Sequence, residues 1–274
     1  MSWTTVRVRP SSSGREAVLA ALFDAGAGGV QEDGDVLVAH LDETANITLL
    51  GLALGRADPG ATVQTAPLEL EDWAQTWKRG LKAHTVGVLT VTPPWLMRGN
   101  DPSRTIVIEP EMAFGTGEHA TTRGVLELLQ RVLRHGDRVA DLGAGSAVLS
   151  IAAAKLGAAR VAAIELDPDA IGNAERNVAA NGVAGRVRVV QGDAAVLLPL
   201  VAPVDLVLAN ILSSTIKELL PAIRTALAPR GRAIFSGIMA AERDEMLDVL
   251  ARDGWRVAAE REEEGWWSVA VDRA

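Results

Sequence analysis

The amino-acid sequence predicts an α/β protein, a doubly wound and mostly parallel sheet domain preceded by a small ferredoxin-like α+β unit. Three observations carry that prediction. From Thr105 onward, strand-like and helical segments alternate in the rhythm of repeated right-handed crossovers. The first 63 residues instead run β-α-β-β-α-β, the order of a small split sandwich. The last two strand candidates are separated only by the turn Glu262-Glu263-Glu264-Gly265, so they should pair antiparallel.

In the front unit, Thr4–Val8 alternates as a half-buried strand does, and Arg15–Asp24 has helical spacing that stops before Gly26. Gly29–Gln31 and Asp35–Leu41 read as strands around an acidic turn. Asp42–Leu54 reads as a second helix and Ala61–Thr65 as a closing strand. Residues 64–104 read as a linker. It holds a short amphipathic helix, Glu71–Leu81, with Trp73 and Trp77 four apart on one face, then a strand over Val86–Thr92 and a Pro93-Pro94 break. Residues 105–274 form the sheet domain. Its strands are expected at Thr105–Glu109, Arg138–Leu142, Arg160–Glu165, Arg186–Gln191, Val204–Ala209, Gly231–Ser236, Arg256–Glu260 and Trp266–Val271. Helices are expected at Thr121–Leu133, Ala147–Leu156, Asp169–Asn181, Ser214–Leu227 and Ala240–Arg252.

Composition narrows the chemistry. The 274 residues include no cysteine, which excludes disulfides, thiolate metal sites, iron–sulfur clusters and a cysteine nucleophile. The net charge is −8, and half of that excess falls within the first 63 residues, where four arginines face eight acids. Such a surface would repel a polyphosphate, so direct nucleic-acid binding is not expected. A basic partner or a small cofactor is easier to accommodate. His40, His84, His119 and His135 show no metal-ligand spacing, and no G-x-S-x-G occurs. Trp266-Trp267 reads as core and edge packing. The absence of a signal-like or membrane-spanning apolar run makes cytoplasm the expected location.

Four segments carry the chemistry. In Val139-Ala140-Asp141-Leu142-Gly143-Ala144-Gly145-Ser146-Ala147, a strand ends, turns on two glycines and enters a helix. Glycines let backbone approach a ligand closely, although a purely structural tight turn would use them too. Asp141 would repel a pyrophosphate but suits a cation such as an ammonium or sulfonium. Glu165, twenty-two residues after Gly143, ends a strand where a ribose would be held by its hydroxyls. Asp193 follows the next strand, placed either to accept from an adenine amino group or to form a turn. Asn210 ends Asp205–Ala209 and either caps the next helix or accepts from an incoming amine and aims its lone pair. Finally, Glu109–Thr122 places Phe114, two glycines and several hydroxyls before a helix. That loop could fold over a cofactor while Thr122 donates a hydrogen bond.

Together MAFGTGEHATT, DLGAGSAVLSIAAAKLGA, IELDPDAI and ANIL, with EDWAQTWKRGLK in the linker, resemble the PrmA family over most of the chain. That family methylates large-subunit ribosomal protein L11 with S-adenosyl-L-methionine. The resemblance implies a seven-stranded, Rossmann-like class I methyltransferase sheet domain at 105–274 and a substrate-recognition domain at 1–63. It implies that Thr122, Gly143, Glu165 and Asn210 contact the cofactor, with Phe114 and Gly115 in a covering loop. Gly145, Asp141 and Asp193 join this cofactor set from the reading of the turn and strand end. The chain departs from the family pattern at Glu111, where glycine is usual, and at Ala147, which replaces the last glycine of the turn. Ala144 fills the variable second position of that turn, and Glu165 replaces the commoner Asp. A methyltransferase acting on RNA or on a small-molecule amine is the alternative, RNA being disfavoured by the acidic front unit and the lack of a basic stripe, and a nicotinamide dehydrogenase is opposed by the Asp141-Leu142-Gly143 turn and the missing third glycine.

Overall fold

The computed structural model describes residues 3–11, 13–27, 29–42, 45–68, 81–110 and 117–273. Two compact units divide the chain, residues 1–81 and 82–274.

The smaller unit comprises β1 (Trp3–Arg9), α1 (Arg15–Asp24), β2 (Val30–Asp33), β3 (Val36–Leu41), α2 (Ile47–Ala57) and β4 (Thr62–Leu68). Its sheet order is β2-β3-β1-β4 with every pair antiparallel, the ferredoxin-like arrangement expected. Alternation in β1 turns Val6 and Val8 inward against Val18 and Leu22 of α1 and Leu50 and Leu54 of α2. Each helix thus buries an i, i+4 pair on one face. Helix α2 begins later than its apolar pattern suggests because Asn46 caps it, accepting the Leu49 amide at 3.1 Å. Strand β4 pairs with β1 as far as Leu68, past the expected boundary at residue 63. The expected helix over Glu71–Leu81 lies almost wholly outside the described residues.

In the larger unit, β5 (His84–Val86), β6 (Leu89–Thr92) and β7 (Thr105–Val107) form a separate three-stranded sheet. This corrects two expectations. The strand over Val86–Thr92 is a hairpin broken at Gly87, whose φ of +59° turns the chain. Thr105–Glu109 does not join the large sheet. It shortens to β7 and pairs only with β6, because the side-chain amide of Asn181 takes both the N–H and the C=O of Val107, at 2.9 and 2.6 Å.

The seven-stranded sheet holds β8 (Arg138–Leu142), β9 (Arg160–Glu165), β10 (Val187–Gln191), β11 (Val204–Asn210), β12 (Leu227–Met239), β13 (Trp255–Glu263) and β14 (Trp266–Arg273). Its order is β10-β9-β8-β11-β12-β14-β13. Neighbours from β10 to β12 are parallel, and β14 runs antiparallel to both β12 and β13, as the short turn required. Helices α3 (Ala120–Val132), α4 (Val148–Lys155) and α5 (Pro168–Ala180) bury one face against Val139, Val161, Leu206 and Ile234. Helices α6 (Ala194–Val201), α7 (Ser213–Ala226) and α8 (Arg243–Arg252) bury the other against Ala140, Ile164, Val207 and Phe235. The order reverses at β8, which lies between β9 and β11. In open α/β sheets a ligand crevice sits at such a switch point, beyond the carboxyl ends of the strands. At the opposite end, Arg232 and Asp137 form a buried ion pair with Nη2–Oδ distances of 2.9 and 3.0 Å. No described helix is long and apolar enough to cross a membrane.

Candidate functional site

A cavity of about 680 Å³ opens at the carboxyl ends of β8, β9, β10 and β11. Gly143, Glu165, Asp193 and Asn210 all line it, so four of the nine site residues read from the sequence converge on one space.

The glycine turn after β8 is left-handed at three positions, with φ of +69° at Gly143, +52° at Gly145 and +65° at Ala147. For an L-residue such as Ala147 that conformation costs about 1–2 kcal/mol relative to the right-handed region. The turn is tied to β9 by the carboxylate of Glu165, which accepts the Gly145 amide at 2.7 Å and the Asp167 amide at 2.9 Å. Those two bonds leave further acceptor positions on the same oxygens for hydroxyl donors. Asp193 caps α6, accepting the Ala195 amide at 2.8 Å, and lines the cavity as well. Its turn-forming and ligand-facing readings therefore coexist.

Asn210 is the last residue of β11, in register with Ser236 of β12. It does not cap the following helix: that position belongs to Leu212, and no side chain caps α7. The amide side chain is half-buried and has no hydrogen-bond partner among the described residues. Close packing shapes the segment that follows. A Cβ on Gly143 would lie 2.5 Å from Ile211 Cγ2, and one on Gly237 would lie 2.3 Å from the Ile211 carbonyl oxygen.

Three expected residues stand outside the cavity lining. Gly145 spends its amide on Glu165. Thr122 is fully buried in the first turn of α3, and its hydroxyl has no partner among the described residues, while the adjacent Thr121 reaches the cavity. Asp141 is buried within β8, with Oδ2 held by the Ser150 hydroxyl at 2.6 Å and Oδ1 without a partner among the described residues. Burial pushes its pKa up to about 6, opposed by hydrogen bonds from Ser150 and helped by the charge of Glu165. Phe114 and Gly115 lie outside the described residues.

The cavity also has walls the sequence reading missed. His119 caps α3 and meets Trp266 edge-on, with ring centroids 5.0 Å apart and planes at 65°. Both line the cavity, while Trp267 turns the other way into the core, 1% exposed. Leu166 and Leu212 supply apolar surface on either side. Strand alternation at Trp266-Trp267 was the available signal, since adjacent residues must face opposite ways.

S-Adenosyl-L-methionine fits these residues. Carboxylates at two adjacent strand ends, those of Glu165 and Asp193, suit the hydroxyls and amino group of a nucleoside. The strand order, its reversed last pair and this cavity define a class I, S-adenosylmethionine-dependent methyltransferase.

Comparison with known proteins narrows the class. The model of the ribosomal protein L11 methyltransferase (PrmA) family matches residues 36–274. A ribosomal protein L11 methyltransferase of Pelotomaculum thermopropionicum is 36% identical over all of this chain and 99% of its own length. That of Thermus thermophilus is 35% identical over 97% of this chain and 98% of its own. A solved ribosomal protein L11 methylase from Lactobacillus delbrueckii subsp. bulgaricus is 28% identical, with a TM-score of 0.61 over 70% of this chain and 99% of that one. The chain belongs to the ribosomal protein L11 methyltransferase (PrmA) family.

Proposed function

We propose that this protein methylates amino groups of ribosomal protein L11, using lysine side chains, the N-terminal α-amino group or both as acceptors. The observation that carries the reading is the unpartnered amide of Asn210, which opens on the same cavity as Glu165 and Asp193.

When bound, S-adenosyl-L-methionine supplies an electrophilic methyl group on a sulfonium. Glu165 and Asp193 hold the nucleoside end by its hydroxyls and amino group, and Gly143 lets the chain approach it closely. Asp141 holds negative charge behind the turn. The acceptor must arrive as a neutral amine, which for a lysine with an ordinary pKa of ~10.4 requires loss of a proton before attack. Asn210 accepts from that amine through its side-chain carbonyl and aims the lone pair along the line of displacement. With the cofactor bound, the amine nitrogen would take the methyl group as the C–S bond breaks, and water would take both the proton lost before attack and the one released after it. Transfer disperses the sulfonium charge, which a largely apolar cavity walled by Leu166, Leu212 and Trp266 favours.

Residues 1–63 act as the substrate-recognition unit, where the excess of acid suits a basic ribosomal protein. Phe23, Leu49 and Leu52 lie exposed on its two helices and supply apolar contact. Nothing in this reading calls for nucleic acid or a membrane, and the expected location is the cytoplasm. Titration calorimetry with S-adenosylhomocysteine and with NAD tests the cofactor assignment: binding of the first alone supports it, and binding of NAD alone refutes it.

A further inference from the structure

At Ala147 the glycine turn takes a left-handed backbone without a glycine, and the peptide just before that residue is gripped from outside the turn. Asn177, on α5, donates Nδ2–H to the Ser146 carbonyl at 3.0 Å and accepts the Glu109 amide on Oδ1 at 2.9 Å. One helical turn earlier, Asn173 accepts from Asn177 Nδ2 at 3.2 Å and donates to the Glu109 carbonyl at 3.1 Å. These partners fix which way the Asn177 amide faces. Exchanging its oxygen and nitrogen would set acceptor against acceptor at Ser146 and donor against donor at Glu109. Both asparagines are 1% exposed, so water does not compete for the bonds.

We propose that Asn177 is a positioning residue for cofactor binding: through the Ser146 carbonyl it holds Ala147 in its left-handed conformation and keeps the cofactor turn in shape. The inference rests on reading that turn as part of the cofactor site. Inside the turn, Ala147 N–H bonds the Ala144 carbonyl at 2.8 Å, which closes the turn locally. The Ser146 peptide needs an anchor on another element, because an alanine released from strain relaxes toward ordinary φ. Asn177 is that anchor, and it ties the same peptide to the chain segment leaving β7. A glycine at position 147 would have no strain to relax, so the turn would depend on Asn177 far less. Residues 147 and 177 should therefore be energetically coupled.

The test is a double-mutant cycle on the full-length protein, reading the Kd of S-adenosylhomocysteine and the kcat and KM of methyl transfer. Asn177→Asp keeps the size and the acceptor for Glu109 but sets an oxygen against the Ser146 carbonyl. In the wild-type background it should weaken binding about tenfold, the size of left-handed alanine strain, and in the Ala147→Gly background no more than about threefold. KM for the cofactor should rise with little change in kcat. Asn177→Ala, which removes all three side-chain bonds without adding charge, is read in the same cycle in case the aspartate does not fold. Equal weakening in both backgrounds, or a lowered Tm with unchanged Kd, overturns the proposal. If the wild type itself fails to bind S-adenosylhomocysteine, the cofactor reading falls and this inference falls with it, a result distinct from an additive cycle.

Discussion

Glu165 accepts the Gly145 amide at 2.7 Å across the gap between neighbouring strand ends, so one carboxylate both shapes the glycine turn and faces the cavity. Glu165→Ala removes that bond, the one to Asp167 and the acceptor for the nucleoside hydroxyls. Hydrogen bonds to a charged group contribute about 1.5–3 kcal/mol each, so the Kd of S-adenosylhomocysteine should rise at least about tenfold. Calorimetry showing an unchanged Kd would count against both roles.

Asp141 makes the unliganded fold pH-sensitive. Its folded pKa of about 6 lies above the ordinary 3.8 because burial disfavours the ionised form. The sign follows from linkage: this group's stabilising contribution is full below about pH 3.8 and is lost as pH rises through about 6. The span amounts to about 3 kcal/mol. Asp141→Asn, which keeps a partner for Ser150, should raise the Tm of unliganded protein at pH 8, with the gain shrinking toward pH 4. A gain independent of pH would place the titration elsewhere.

Asn210→Ala removes a side chain that no described neighbour holds, so the fold should tolerate it. Turnover should fall by about 10²-fold or more through lost alignment of the amine, while cofactor Kd changes little. Stopped-time assays beside calorimetry separate the two, and a loss confined to Kd would show that Asn210 binds cofactor without aiming the acceptor.

Gly237→Ala places a methyl group 2.3 Å from the Ile211 carbonyl at a φ of +80°. The Asn210–Leu212 segment must then shift, and a displacement of about 1 Å can cost on the order of 10²-fold in rate. Activity close to wild type would mean that the segment yields without moving Asn210.

Far from the cavity, Asp137→Ala leaves Arg232 as an unpaired charge at 5% exposure. Breaking a buried pair in this way should cost about 3–5 kcal/mol of stability. Chemical denaturation measures it, and cofactor Kd in the folded protein should stay as it was.

What the sequence revealed follows a physical line. Helix α1 was readable to the residue because Val18 and Leu22 set a clear period and Gly26 closes it. Helix α6 went unread: Ala194–Val201 has no polar side chain and contains Pro199, so no face stands out from its neighbours. The displacement of β7 into its own sheet was equally hidden, since it depends on Asn181, 74 residues away. In the site, Gly143, Glu165, Asp193 and Asn210 were legible because the fold class alone assigns strand ends to ligands. The pairing of His119 with Trp266 depends on tertiary packing and leaves no local pattern. Asp141 and Thr122 carried the right chemistry in the sequence, but their side chains turn into the interior rather than onto the cavity wall.

The most direct test of the account is to incubate the protein with isotope-labelled S-adenosylmethionine and a mixture of unmethylated ribosomal proteins and ribosomal RNA, then map the label by mass spectrometry. Label on amino groups of ribosomal protein L11, lost with Asn210→Ala, is the predicted result. Label on RNA with none on L11 would contradict it.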